Sequence, residues 1–113
     1  MASVAYQAYQ KGSFTLFPKK PLRDFIYIKD VVNANLAAFK LDRGVFDVGY
    51  GKPMLFEDLV EGMNIKYDYT TEDKIPGWYQ HYTCANEDMK MPGWEPYYPV
   101  ADGTHNYLKY LKK

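Results

Sequence analysis

Apolar positions change their period several times along the chain, and each change marks an element. Between Met1 and Lys11, Met1, Val4, Ala5, Ala8 and Tyr9 alternate with Ser3, Gln7, Gln10 and Lys11 at the spacing of one helical face. Gly12 is placed to end that helix in the left-handed conformation. Phe14–Phe17 predicts a short strand stopped by Pro18 and Pro21, and the β-former-rich run Asp24–Ile28 predicts another. Asp30 fits as N-cap of a following helix, its carboxylate accepting from the first free amides. That helix places Val32, Leu36 and Phe39 on one face and ends before Gly44.

Val45–Val48 predicts a short strand closed by Gly49 and Gly51. Phe56, Leu59, Val60 and Met63 recur at helical spacing, and Ile65–Tyr69 alternates as a strand does. Pro76-Gly77 and Pro92-Gly93 are turn signals, and Trp78–Thr83 reads as extended. Asn106–Lys113 predicts a terminal helix with Tyr107, Leu108 and Leu111 inward and lysines at the dipole-favoured end. No repeat or low-complexity linker interrupts this order. The pattern predicts one domain over 1–113, of α/β (or α+β) class, with a small mixed sheet and three to four helices.

Composition adds one unusual feature. Aromatic residues make up 18%, with 12 tyrosines, and tyrosine suits half-buried walls and ligand clefts as well as strands. Charge narrows the partners: 14 basic and 14 acidic side chains cancel, so no long-range field steers the chain to nucleic acid or an anionic membrane. Cys84 is alone, which excludes an intrachain disulfide. No apolar run approaches the length of a membrane span and no signal peptide opens the chain, so a cytoplasmic location is expected.

The catalytic inventory is thin. His81 and His105 lack partners at metal-ligand spacing, and Ser3 and Ser13 sit in no nucleophile elbow, so no catalytic or metal residue is assigned. Gly49-Tyr50-Gly51 lies between a predicted strand and helix. It lacks the third glycine of a dinucleotide loop, and Pro53 follows closely, so it reads as a plain turn.

One block is more specific. Arg23-Asp24-Phe25-Ile26-Tyr27-Ile28-Lys29-Asp30-Val31 closely resembles the RDF(V/I)Y(V/I)xDV block of extended short-chain dehydrogenase/reductases acting on sugar nucleotides. Met1-Ala2-Ser3-Val4-Ala5-Tyr6 resembles the helix after that family's active-site lysine loop. Gly44-Val45-Phe46-Asp47-Val48-Gly49 is similar to its glycine-bounded strand, and Gly93-Trp94-Glu95-Pro96 to its C-terminal ending. Trp78-Tyr79-Gln80-His81-Tyr82-Thr83 resembles the Y-Q-x-(F/Y)-T segment of the ADP-glycero-manno-heptose 6-epimerase branch. Leu55 departs from the family, which prefers a Ser/Thr helix cap there.

The resemblance implies a substrate-binding portion. Arg23 falls on the arginine that grips the nucleotide diphosphate, for which a planar, bidentate guanidinium is suited. The alternative for Arg23 is an ion pair with Asp24 or another surface carboxylate. Phe17, Lys19 and Lys20 fall on the loop that wraps the nucleotide, which is shorter here, and Tyr79 on a substrate-contacting tyrosine. Gln7 stands where the epimerase branch has a substrate-contacting histidine. The family's glycine-rich cofactor loop is absent, and no tyrosine has a lysine four residues on, so the Tyr-x-x-x-Lys proton-transfer pair is absent too. The cofactor, NADP in the family, would be bound by an N-terminal Rossmann half that this sequence lacks.

Two functions follow as expectations. The first is a sugar-nucleotide-binding portion of an epimerase or dehydratase, not catalytically competent alone and either an isolated fragment or a shortened gene product. The second is a free-standing binding or assembly protein that kept the fold and lost the ligand. Under both, a homo-oligomer or a Rossmann partner is expected to cover apolar surface.

Overall fold

A computed structural model describes residues 1–113. Helix α1 (Ala2–Lys11) turns Val4, Ala5 and Ala8 inward, and Gly12 closes it at φ 71°, its N–H returning 2.8 Å to the Ala8 carbonyl. Strand β1 (Ser13–Leu16) follows. It pairs in parallel with β4 (Lys66–Tyr69), from Ser13 opposite Lys66 to Leu16 opposite Tyr69. Parallel neighbours need a long crossover, and the intervening chain supplies it. Within that crossover, β2 (Leu22–Arg23) pairs antiparallel with β3 (Met54–Leu55), and helices α2 (Ile28–Ala38) and α3 (Phe56–Gly62) form. Helix α4 (Val100–Leu111) ends the fold, so four helices accompany strand pairs of both orientations, a small α/β architecture.

The main core forms where the sequence periods are cleanest. Leu59 and Val60 of α3, with Met63 at its C-terminal cap, meet Val4 and Ala5 of α1, Leu16 of β1 and Phe25. Strand and helix are also joined by hydroxyls: Tyr67 donates to Glu61 at 2.7 Å and Tyr69 to Glu57 at 3.0 Å. Residues two apart on β4 thereby meet residues four apart on α3, each set sharing one face. A second, smaller cluster holds Ala34, Met91 and Trp94.

Several elements differ from the sequence expectation. Asp24–Ile28 is not a strand, because pairing stops at Arg23 and α2 begins at Ile28; Phe25 and Tyr27 are buried by packing instead. Asp30 is not an N-cap. Tyr27 holds that position, and Asp30, 1% exposed, accepts from the Tyr97 and Tyr98 amides at 2.8 and 3.0 Å. Its carboxylate thus satisfies a distant loop rather than its own helix. The Val32, Leu36 and Phe39 face is exposed, whereas Ala34 faces inward: small residues let α2 approach Met91 and Trp94 closely.

Val45–Val48 forms no strand, only an isolated bridge between Asp47 and Lys90, and Val45 lies in solvent. Within Trp78–Thr83, only Tyr82 is bridged, to Leu22. Helix α4 begins at Val100, well before Asn106. It sits so close to Tyr27 that a β-carbon on Gly103 would lie 2.8 Å from the Tyr27 β-carbon.

The molecule is a slab of 47 × 38 × 17 Å with a radius of gyration of 15.5 Å. A compact chain of this length would have about 13 Å. Only 17 of 113 residues are buried, so one layer of packing carries the fold and broad faces stay open. No helix is long and apolar enough to cross a membrane.

Candidate functional site

Arg23 ends β2, and the ladder around it sets its neighbours. Leu22 donates to the His81 carbonyl at 2.8 Å and accepts from the Thr83 amide at 3.2 Å, which brings the Tyr79–Thr83 segment alongside. The β2–β3 pair delivers Phe56, first residue of α3, to the same place. The Arg23 guanidinium carbon lies 4.6 Å from the centre of the Tyr79 ring and 5.8 Å from that of Phe56. Phe17 meets Tyr79 edge to face at 4.6 Å, extending the aromatic wall. Cation–π attraction holds the guanidinium at such a wall while leaving its N–H edge available.

Arg23 Nη1 donates to the Leu22 carbonyl at 2.8 Å, and no carboxylate pairs with the side chain. Asp24 is engaged elsewhere. Its oxygens accept from Tyr50 N (2.8 Å), Gly51 N (3.0 Å) and Ala85 N (2.9 Å), tying three loops together. This also settles the Gly49-Tyr50-Gly51 turn. The Tyr50 and Gly51 amides, which a phosphate loop would aim at its ligand, point to Asp24. A β-carbon at Gly49 would lie 2.5 Å from Asp24 Oδ2, so the glycine serves the close approach of that carboxylate. The turn does not fit a dinucleotide.

The remaining candidates divide. Lys19 and Lys20 occupy left-handed backbone, φ 71° and 51°, between Pro18 and Pro21. Non-glycine residues held there carry strain, a feature that concentrates at ligand-clamping loops. Lys19 pairs with Glu72 on the surface, while Lys20 has no ion pair. Gln7 lies on the exposed face of α1 and donates to Ser3 Oγ at 3.1 Å; it makes no hydrogen bond to the Arg23 group. The structure thus brings together Arg23, Tyr79 and Phe17, with the Lys19–Lys20 turn following Phe17 in the chain.

Sequence reasoning missed Phe56, Glu72 and the anchoring role of Asp24. The adjacency of Arg and Asp suggested an ion pair, and only the third dimension separates them. Nearby, Tyr82 is raised above its ordinary pKa, first by its hydrogen bond with Cys84 and then by that group's charge. Asp24, Thr83 and Cys84 border a shallow hollow of about 310 Å³ with Phe46 and Val48.

No protein-family model matches the chain. Solved structures do. The ADP-L-glycero-D-manno-heptose-6-epimerase of Helicobacter pylori superposes with a TM-score of 0.78 at 26% identity, over 98% of this chain and 37% of that one. UDP-glucuronic acid 4-epimerase from Bacillus cereus, solved with NAD, gives 0.67 at 17% identity over 99% and 39%. RMD from Pseudomonas aeruginosa, solved with NADPH, gives 0.71 at 18% identity over 99% and 41%. The chain spans about two-fifths of the length of these proteins. It has the fold of the C-terminal portion of short-chain dehydrogenase/reductase-type epimerases.

Proposed function

We propose that this chain is the sugar-nucleotide-binding portion of an NAD(P)-dependent epimerase or dehydratase, with Arg23 holding the diphosphate of an ADP-sugar-like ligand. The observation that carries this is a guanidinium free of carboxylates and walled by Phe56 and Tyr79, with Phe17 packed against Tyr79. A planar cation of this kind can bond two phosphate oxygens in parallel, and the ring faces beside it suit a base or sugar. Lys20 adds positive charge in the adjoining turn, and Tyr79 supplies a hydroxyl. Gln7 keeps a place in the proposal as a contact to the sugar. The chain's own part is to bind and orient. NADP, which would supply the redox step, belongs in this reading to a Rossmann half outside this sequence, and the chain alone is not competent.

Titration calorimetry with ADP and an ADP-sugar tests the reading. Saturable heat, weakened at least about tenfold in Arg23→Ala, is the expected result, since a lost charge-assisted bond costs about that much. An absence of heat at ligand concentrations of about a millimolar, far above the affinity expected of such a site, would remove it.

A second reading is favoured by the open slab. Thirteen large hydrophobic or aromatic residues are exposed, among them Phe39 at 85%, Val45 at 81% and Trp78 at 80%. An assembly protein that kept the fold and lost the ligand would use such faces, covered by a second copy or by a Rossmann partner. Binding of a protein partner without nucleotide affinity would select this reading.

A further inference from the structure

The loop before Arg23 and the segment after β4 lie side by side at the edge of the Arg23 group. The Thr70 amide donates to the Leu16 carbonyl at 2.9 Å, Lys19 pairs with Glu72, and Phe17 meets Tyr79 edge to face. Between these attachments the chain runs in tight turns. Lys74 donates to the Thr71 carbonyl and Ile75 to that of Glu72, each at 3.1 Å, and Tyr79 to that of Pro76 at 3.0 Å. The last bond sets Gly77 and Trp78 at the two central positions of a β-turn, so Trp78 sits at the tip of a tethered segment.

The rings that touch the guanidinium are already engaged. Tyr79 is shared between Arg23 and Phe17, and Phe56 between Arg23 and Phe25, whose ring meets it edge to face at 5.2 Å. Trp78 is different. It is 80% exposed, and its one ring contact is a tilted approach to Tyr79 at 6.2 Å. A large π-face is thus left open beside a cation that has no carboxylate. The distances also form an order. The Arg23 guanidinium carbon lies 4.6 Å from the Tyr79 ring centre, and the indole lies one ring further on. Cation, hydroxyl-bearing ring and open indole follow one another as diphosphate, ribose and base do in a nucleotide.

We propose that Trp78 is the base-holding residue of this site, its indole stacking on the nucleobase of the ligand whose diphosphate Arg23 grips. This role rests on the functional reading above and adds the group that tells a nucleotide from a bare diphosphate. A base fits the indole better than a sugar. Indole has one donor and no acceptor, and its turn neighbours Pro76 and Gly77 carry no hydrogen-bonding side chain. A sugar needs such partners, whereas every base presents a π-face that needs none. The family segment begins at Tyr79, so Trp78 takes no role from that resemblance.

Tryptophan emission reads the contact directly, because Trp94, the other tryptophan, is 7% exposed. ADP is expected to quench the emission saturably, over the same concentrations that release heat in calorimetry, and pyrophosphate to leave it unchanged. Trp78→Phe should abolish the quenching and hold ADP affinity within about threefold, while Trp78→Ala should weaken ADP about tenfold. Neither should move the affinity for pyrophosphate, measured as a competitor of ADP. Circular dichroism checks each variant's fold, and the quenching of the unaltered chain needs no variant. ADP binding that depends on Arg23 yet neither quenches nor responds to Trp78→Ala would overturn the role of Trp78 and leave that of Arg23 standing. Quenching by an ADP-sugar but not by ADP would assign the indole to the sugar and overturn it too. So would a dimer dissolved by Trp78→Ala with ADP affinity unchanged. Failure of ADP to bind at all would remove both roles.

Discussion

The two clusters of this slab are held by different forces. Around α3, seven buried apolar residues contributed by α1, β1, α3 and the chain after β2 form a continuous core, and helix and strand are further joined by tyrosine–glutamate bonds. Around α2, three buried residues make a small cluster, and the surrounding loops are fixed by aspartates that accept backbone amides: Asp24, Asp30 and Asp47. The first region has regular elements because burial there follows helix and strand periods. The second has few, since side-chain carboxylates replace the ladder bonds that strands would make. The lesson is that one small chain can fix one region by area and another by point attachments, one of which, Asp24, directly follows Arg23 of the candidate site.

The sharpest way to break this contrast is to damage each region by its own mechanism. Leu59→Ala, at a residue 2% exposed, removes apolar contacts and leaves a cavity, with an expected loss of about 2–5 kcal/mol in urea unfolding. Asp24→Ala frees three amides and is expected to cost about 2–3 kcal/mol. Its signature is local: hydrogen exchange at Tyr50, Gly51 and Ala85 should accelerate more than exchange in α3. Equal acceleration in both regions would deny that the second region is held by point attachments.

Alkali offers a gentler probe of the first region. The Glu61 hydrogen bond, followed by burial, pushes the Tyr67 hydroxyl up to about 12 from an ordinary value of 10.0. Tyr69 is raised as well, by burial first and then by its bond to Glu57. A tyrosine that holds its proton more tightly when folded contributes stability fully present below pH 10. That contribution is lost as the pH rises through about 12. The urea midpoint should therefore fall across this window, and Tyr67→Phe should flatten the fall. The smallest effect is expected at the exposed face of α2, where Leu36→Asp should change stability by no more than about 0.5 kcal/mol.

Legibility followed the same division. Helix α1, its Gly12 end and α3 could be read from spacing, because one face of each helix is buried and the period shows it, and β4 from the alternation of Tyr67 and Tyr69 with charged residues. The Asp24–Ile28 run has strand composition, yet nothing pairs beside it past Arg23, and composition carries no information about a missing neighbour. Helix α2 offered two faces, one large and apolar and one built from Ala34, Ala37 and Ala38. Packing against Met91 and Trp94 selected the small one. At the site, the Arg23 block and Tyr79 stood out in the sequence through their resemblance to a family, whereas Phe56 and the three amides held by Asp24 depend on long-range placement.

The missing side chain at Gly103 has a wider consequence than its own packing. With α4 seated at van der Waals distance on Tyr27, that glycine works as a ruler: it sets the gap between α4 and the start of α2. Lys109 and Lys113 ride on one side of the gap and Lys29 on the other, so a single added methyl at position 103 would lever the two jaws apart. The spacing of three lysines is thus gauged by a residue that has no side chain.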